Sequence, residues 1–226
     1  MSIEIEAGTK DCTALTDAEL AEMADLVAAS TTGWGVGFLS KQREEWVLVT
    51  QAREGARLRG FALSTLERIG GTPCLLIGVA SFNPGASAAR ALDEVLRDLY
   101  RRALLAFPDE DVLVGTRLAH PSGFRAFEGL QDVVPRAGHR ATGEERAWTR
   151  RLGKRFAGDQ VLDDRAARLE GDGNPSGLLD YVPRREPRQA QAFAEFFEGL
   201  DRERRDCVVA FGWAMAEDLA AGRLPR

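Results

Sequence analysis

The sequence predicts a mixed α/β (α+β) fold: a mostly antiparallel sheet flanked by helices, with a helical and loop-rich insertion before the last strand. Three observations carry this expectation. Three β-rich runs, 45–53, 57–68 and 74–82, are separated by Glu54-Gly55 and Gly70-Gly71, which read as the tight turns of an antiparallel meander. The third run leads through a long amphipathic stretch into another apolar run at 111–118, so the strands at 74–82 and 111–118 should be parallel. Beyond 136 the composition shifts to charge-dense helical sequence and then to a loop rich in Gly, Pro and Asp.

Taken in order, residues 2–7 alternate apolar and charged, as a half-buried strand does. Thr16 with Glu19 three residues on is a capping box, and Leu20, Met23, Ala24, Val27 and Ala28 form the buried stripe of a helix ending near Ser30. Residues 31–37 hold three glycines around Trp34 and read as a loop, followed by a short helix at 38–43. After the meander, Asn83-Pro84 reads as a helix start with Asn83 as N-cap. Leu92, Val95, Leu96, Leu99, Ala103, Leu104 and Phe107 then supply one apolar helix face. A short helix at 121–130 and a short strand at 132–136 follow. The spacing predicts helix over 140–169, loop over 170–187, helix over 189–200, a last strand at 206–213 and a final helix at 215–221.

Composition limits the function classes. The 226 residues suffice for one domain, 1–226, with 137–200 as an insertion that builds a lid or a partner surface. No apolar run approaches the ~20 residues that span a bilayer, and the N-terminus lacks the basic and apolar regions of a secretory signal. Cys12, Cys74 and Cys207 are three, widely spaced and without a CxxC pair, which fits a reducing, cytoplasmic compartment and no disulfide framework. With only His120 and His139 as histidines, no metal site is expected. A net charge of −5 argues against nucleic acid and against an anionic membrane surface.

This order of elements resembles the GNAT superfamily of N-acetyltransferases over residues 2 to about 136, with the strand at 206–213 as a further match. The resemblance implies a mixed sheet whose fourth and fifth strands splay apart to admit acetyl-CoA, the pantetheine lying along the fourth strand and the pyrophosphate on the next helix N-terminus. The fourth strand would be 74–82, with the backbone of Val79, Ala80 and Ser81 facing the thioester. Asn83, Gly85, Ala86, Ser87 and Ala88 would form the pyrophosphate loop, where small residues admit phosphate and the helix dipole attracts it. Arg90 would pair with a phosphate. The family signature, Arg or Gln, two residues, then Gly-x-Gly or Gly-x-Ala, is absent, and Pro84 removes one N–H donor. Where the family places an Asn and a Tyr after the fifth strand, this chain has His120 and Phe124. Phe cannot donate a proton, so the resemblance implies that His120 or Ser122 would stand in for the acid.

Further candidates are Glu67, at the end of the third strand, as a general base, and Trp34 as a substrate-binding lid residue. Cys74 could face the splay as a nucleophile or serve as inert packing. Arg146, Arg150 and Lys154 share a helix face that would meet a CoA phosphate, an acidic partner, RNA, or only solvent. Three readings stay open. The first is an acyl-CoA-dependent N-acyltransferase, using acetyl-CoA or another acyl-CoA on a small-molecule or peptide amine by direct transfer, a homodimer being compatible with it. The second is a catalytically inactive GNAT-like binding or assembly protein. The third is a different α/β fold.

Overall fold

The computed structural model describes residues 4–28, 30 and 32–225. The strands are β1 (Ile5–Asp11), β2 (Leu48–Glu54), β3 (Arg57–Ile69), β4 (Thr72–Phe82), β5 (Val112–Leu118), β6 (Gln131–Val134), β7 (Leu162–Asp163), β8 (Arg168–Leu169), β9 (Leu179–Asp180) and β10 (Cys207–Ala214). The helices are α1 (Asp17–Val27), α2 (Val36–Glu45), α3 (Ala88–Ala106), α4 (Gly143–Ala157) and α5 (Ala216–Ala220). One sheet runs in the order β1-β2-β3-β4-β9-β5-β10-β8-β7, with β6 on β10. The meander β1 to β4 is antiparallel throughout, and β4 pairs with β5 in parallel, as the strand–helix–strand pattern requires.

Two apolar layers sandwich the sheet. On one face α3 packs Leu92, Val95, Leu96 and Leu99 against Leu75 and Ile77 of β4 and Ala62 of β3. On the other, α1, α2 and α4 pack Leu20, Leu39, Trp148 and Leu152 against Leu63, Leu76 and Phe211. In β4 the sides alternate until Gly78, where the register on β3 slips from Ser64↔Ile77 to Leu63↔Val79. The extra residue flips the parity, so Val79 faces the helical layer of α1, α2 and α4, whereas Ala80 and Phe82 face α3. Gly78 must be glycine, because a Cβ there would fall inside the Trp46 ring.

Several expected boundaries shift for identifiable reasons. The expected first strand starts at Ser2, and residues 1–3 lie outside the described residues; β1 continues past Ala7 to Asp11 because its ladder with β2 extends to Asp11↔Leu48. Helix α2 runs on to Glu45 and donates Trp46 Nε1 to Gln42 Oε1 at 3.0 Å, so β2 begins at Leu48 and not at Glu45. Helix α3 starts at Ala88, not at Pro84, because the Asn83 N–H extends the sheet by donating to Arg59 O at 2.8 Å. The helix expected over 140–169 stops at Ala157, where Gly158 takes φ +61, and a β7–β8 hairpin follows on the edge of β10. The helix expected over 189–200 is a 3₁₀ helix, Arg188–Phe197.

Candidate functional site

Strands β4 and β5 pair directly only over Cys74↔Leu113 to Ile77↔Thr116. Beyond Ile77 they diverge, and the wedge between them contains a segment of the chain's own 137–200 region. Residues Leu179 and Asp180, strand β9, pair in parallel with Ala80 and Ser81 on one side, and Leu179 pairs with Leu118 on the other. The Ala80 N–H donates to Leu178 O at 2.9 Å, and Ser81 Oγ donates to Asp180 Oδ2 at 3.0 Å. Upstream, Trp34 Nε1 donates to Ser176 O at 3.0 Å. Gly177 lies on the β4 bulge so closely that a Cβ would sit 2.5 Å from Gly78 O and 3.1 Å from Arg117 Nη2. Only glycine lets the strap seat there. Leu178, Leu179 and Tyr181 are buried, Tyr181 edge-on to Phe82 with ring centroids 6.1 Å apart.

A meander, a parallel β4–α3–β5 crossover and a fourth and fifth strand that part halfway define the layout. It is GNAT-like. No protein-family profile matches the chain, and no curated protein sequence matches it. Among solved structures it is similar to the aminoglycoside 6'-N-acetyltransferase from Enterococcus faecium, at 11% identity and TM-score 0.38, over 49% of this chain and 61% of that one. It is similar to the ribosomal-protein-S18-alanine N-acetyltransferase from Escherichia coli, at 11% identity and TM-score 0.38, over 61% and 86% of the two chains. It is also similar to yncA from Salmonella typhimurium, solved with its cofactor acetyl-CoA, at 13% identity and TM-score 0.35, over 58% and 82%. The match spans less than two thirds of the enterococcal chain.

Against the GNAT-like expectation, the residues along β4 do not fit an acyl-CoA as they stand. The place along the fourth strand that a pantetheine would take contains Gly177 to Asp180, and the Ala80 N–H is already used by Leu178. The 83–87 turn is different. Gly85 and Ala86, with Ala89, Arg125, Tyr181 and the strap residues 183–187, line a cavity of about 640 Å³. A side chain at Gly85 would meet almost open space, its nearest neighbour being Asn83 Oδ1 at 4.0 Å, so no close backbone approach demands that glycine. Ser87 precedes α3 without a side-chain cap, Ala88 is buried beneath it and Arg90 is exposed one turn further on. Arg125 is committed to Asp93 at 2.9 Å.

The structure gathers some candidate polar residues and disperses others. His120 Nδ1 accepts the Ser122 N–H at 3.2 Å and so caps the 3₁₀ turn Pro121–Phe127, which puts the neutral ring's hydrogen on Nε2. Ser122 is buried, and its Oγ has no hydrogen-bond partner among the described residues. Burial pushes the Asp180 carboxyl above its ordinary value, partly offset by Ser81, Ser30 and His120. Phe124 is stacked on Phe193 with centroids 3.9 Å apart and is sealed by Phe127 and Phe197. Glu67 lies at the opposite, closed end, opposite Cys74 in the β3–β4 ladder, and pairs with Arg155 at 2.9 Å. Cys74 is buried there, and burial raises its thiol to about 11. Trp34 is buried and stacked on Phe38 with centroids 5.5 Å apart, anchoring the strap from the second layer. On the basic helix face Arg150 is paired with Asp164.

Two residues escaped sequence reasoning. Asp180 sits in a loop-like stretch with no pattern to mark it. Arg117 did leave a signal, as the lone charge in the apolar run VLVGTRL.

Proposed function

We propose that this chain is a GNAT-fold binding module that does not transfer acyl groups. The observation that supports the reading is β9: the chain supplies its own strand to the wedge and uses the Ala80 N–H for it. The absent Gly-x-Gly, the proline in the turn and the sealed Phe124 agree with it. A backbone-paired segment with Leu178, Leu179 and Tyr181 buried is a costly thing for a soluble cofactor to displace, since each buried side chain contributes ~1.5–3 kcal/mol. Calorimetry and thermal melting with acetyl-CoA and CoA test it. At millimolar ligand the expected result is no saturable heat and no shift in melting temperature; saturable binding of either overturns the reading.

The cavity beside Gly85 and Ala86, flanked by Arg184 and Arg185, favours one second reading. It is an N-acyltransferase using acetyl-CoA or another acyl-CoA, whose strap leaves the wedge before the cofactor enters. A chain with Leu178 and Leu179 both changed to Ser separates the two. If acetyl-CoA binds that variant and not the parent, the strap is a gate; if it binds neither, the binding-module reading stands.

A further inference from the structure

We propose that Arg117 is the anion anchor of a ligand site at the wide end of the β4/β5 wedge, taking the carboxylate of a small organic acid with an apolar body. Arg117 is 4% exposed, and its Nε is sealed from solvent. No hydrogen bond and no ion pair joins its guanidinium to any described residue. Its neighbours are the Phe156 ring, 5.4 Å from Cζ to centroid, and the Cα of Gly177, where even a methyl would come within 3.1 Å of Nη2. Glu45 and Cys207 act on it only at a distance, and burial pushes its pKa down from the ordinary value. The other buried charges among the described residues, Asp98 and Asp218, have partners in the same chain. Asp98, for example, accepts from Thr9, Arg101 and Arg102. A guanidinium cannot shed its proton to escape burial, so an uncompensated one is held at a cost in stability. A guanidinium fork matches a carboxylate through two parallel hydrogen bonds. Phe156 and Trp46, with centroids 6.2 Å apart, wall the same side of the sheet and favour an apolar body on that acid. Gly177 of the strap lies against Arg117 Nη2. The strap's seat is the Trp34 contact, the Ala80–Leu178 and Ser81–Asp180 hydrogen bonds, the short β9 pairing and the buried Leu178 and Leu179, so an acid reaches Arg117 by displacing 174–178 and the guanidinium–carboxylate pair must offset that cost.

This inference deepens the binding-module reading, and the two fail separately. The test is thermal melting and calorimetry of the full chain with sodium phenylacetate, against sodium chloride at matched ionic strength. Phenylacetate should raise the melting temperature by ~3 °C or more towards saturation. Without ligand, Arg117→Met should melt ~2 °C higher than the parent, because an uncompensated charge has been replaced by an apolar side chain of similar length. Phenylacetate should leave that variant unmoved. No shift in the parent, an equal shift in Arg117→Met, or a lower unliganded melting temperature for it overturns the proposal. If Arg117→Met does not fold, Arg117→Lys keeps the charge and loses the fork. Its phenylacetate affinity should fall at least ~10-fold, and an unchanged affinity overturns the proposal. Acetyl-CoA run in parallel addresses the other reading alone: a shift by acetyl-CoA in both parent and Arg117→Met sinks the binding module and leaves the anchor standing.

Discussion

The two ends of the β4/β5 pair are built from the same strands and closed by different means. At the narrow end, Cys74 to Ile77 pair directly with Leu113 to Thr116, and the closure is apolar apart from Thr116, whose Oγ1 donates to Ile77 O at 2.7 Å. At the wide end the strands meet only through Leu179 and Asp180, and the closure mixes apolar plugs with Ser81, Asp180 and the bare Arg117. One end is continuous with the core; the other is a separable segment seated in a slot. The difference teaches that a parallel pair can hold a binding-sized opening without an empty space in it, provided the chain returns to fill it.

The largest perturbation should fall at the narrow end. Leu76 is fully buried, and its Cδ2 would lie 3.4 Å from a Cβ at Gly115. Leu76→Ala should cost ~3 kcal/mol, measured as a lower urea midpoint for the whole domain with an unchanged slope. Next comes the strap. Gly177→Ala should lose ~2 kcal/mol of strap seating, because the new methyl meets the Gly78 carbonyl oxygen. Proteolytic cleavage within 171–187 should speed up, while amide exchange in β4 before Gly78 stays slow. If Gly177→Ala and Leu76→Ala unfold the protein alike, the two ends are one unit and the comparison breaks.

A pH effect should be smaller and confined to the wide end. The Asp180 carboxyl is raised by burial, so its contribution is present below its unfolded pKa and is lost as pH rises through the raised folded value. Amide exchange of residues 178–181, corrected for intrinsic rate, should therefore quicken as pH climbs through that value. Asp180→Asn should flatten the profile; an unchanged profile removes Asp180 from the seat. The smallest effect is expected from Ser81→Ala, which leaves Asp180 one donor short and should cost ~1 kcal/mol, seen only in strap exchange.

The fold was largely legible because its signals are local or periodic. Gly-Gly and Glu-Gly punctuate the meander, and the α3 stripe at Leu92, Val95, Leu96 and Leu99 forces a crossover back to a neighbouring strand. The Asn83-Pro84 pair misled about the helix start because strand pairing to Arg59 outcompeted the local capping preference. The candidate site was far less legible. A two-residue strand has no period, and 170–187 carries the composition of a surface loop. The apolar trio Leu178, Leu179 and Tyr181 inside that composition was the readable clue. Nothing local reports that Gly78 swaps the faces of β4, since a bulge exists only relative to the partner's register.

The order in which the chain is made gives the strap a history as well as a place. Ser81 and Asp180 are 99 residues apart, and the slot is complete once Leu118 has been synthesised. Residues 119–178 must still follow before Leu178 can reach Ala80. At ~5–20 residues per second, a nascent domain would spend ~3–12 s with its β4 edge and Arg117 uncovered. During translation, any small acid or extended peptide nearby would have a first opportunity at that edge, and the strap would arrive as a competitor.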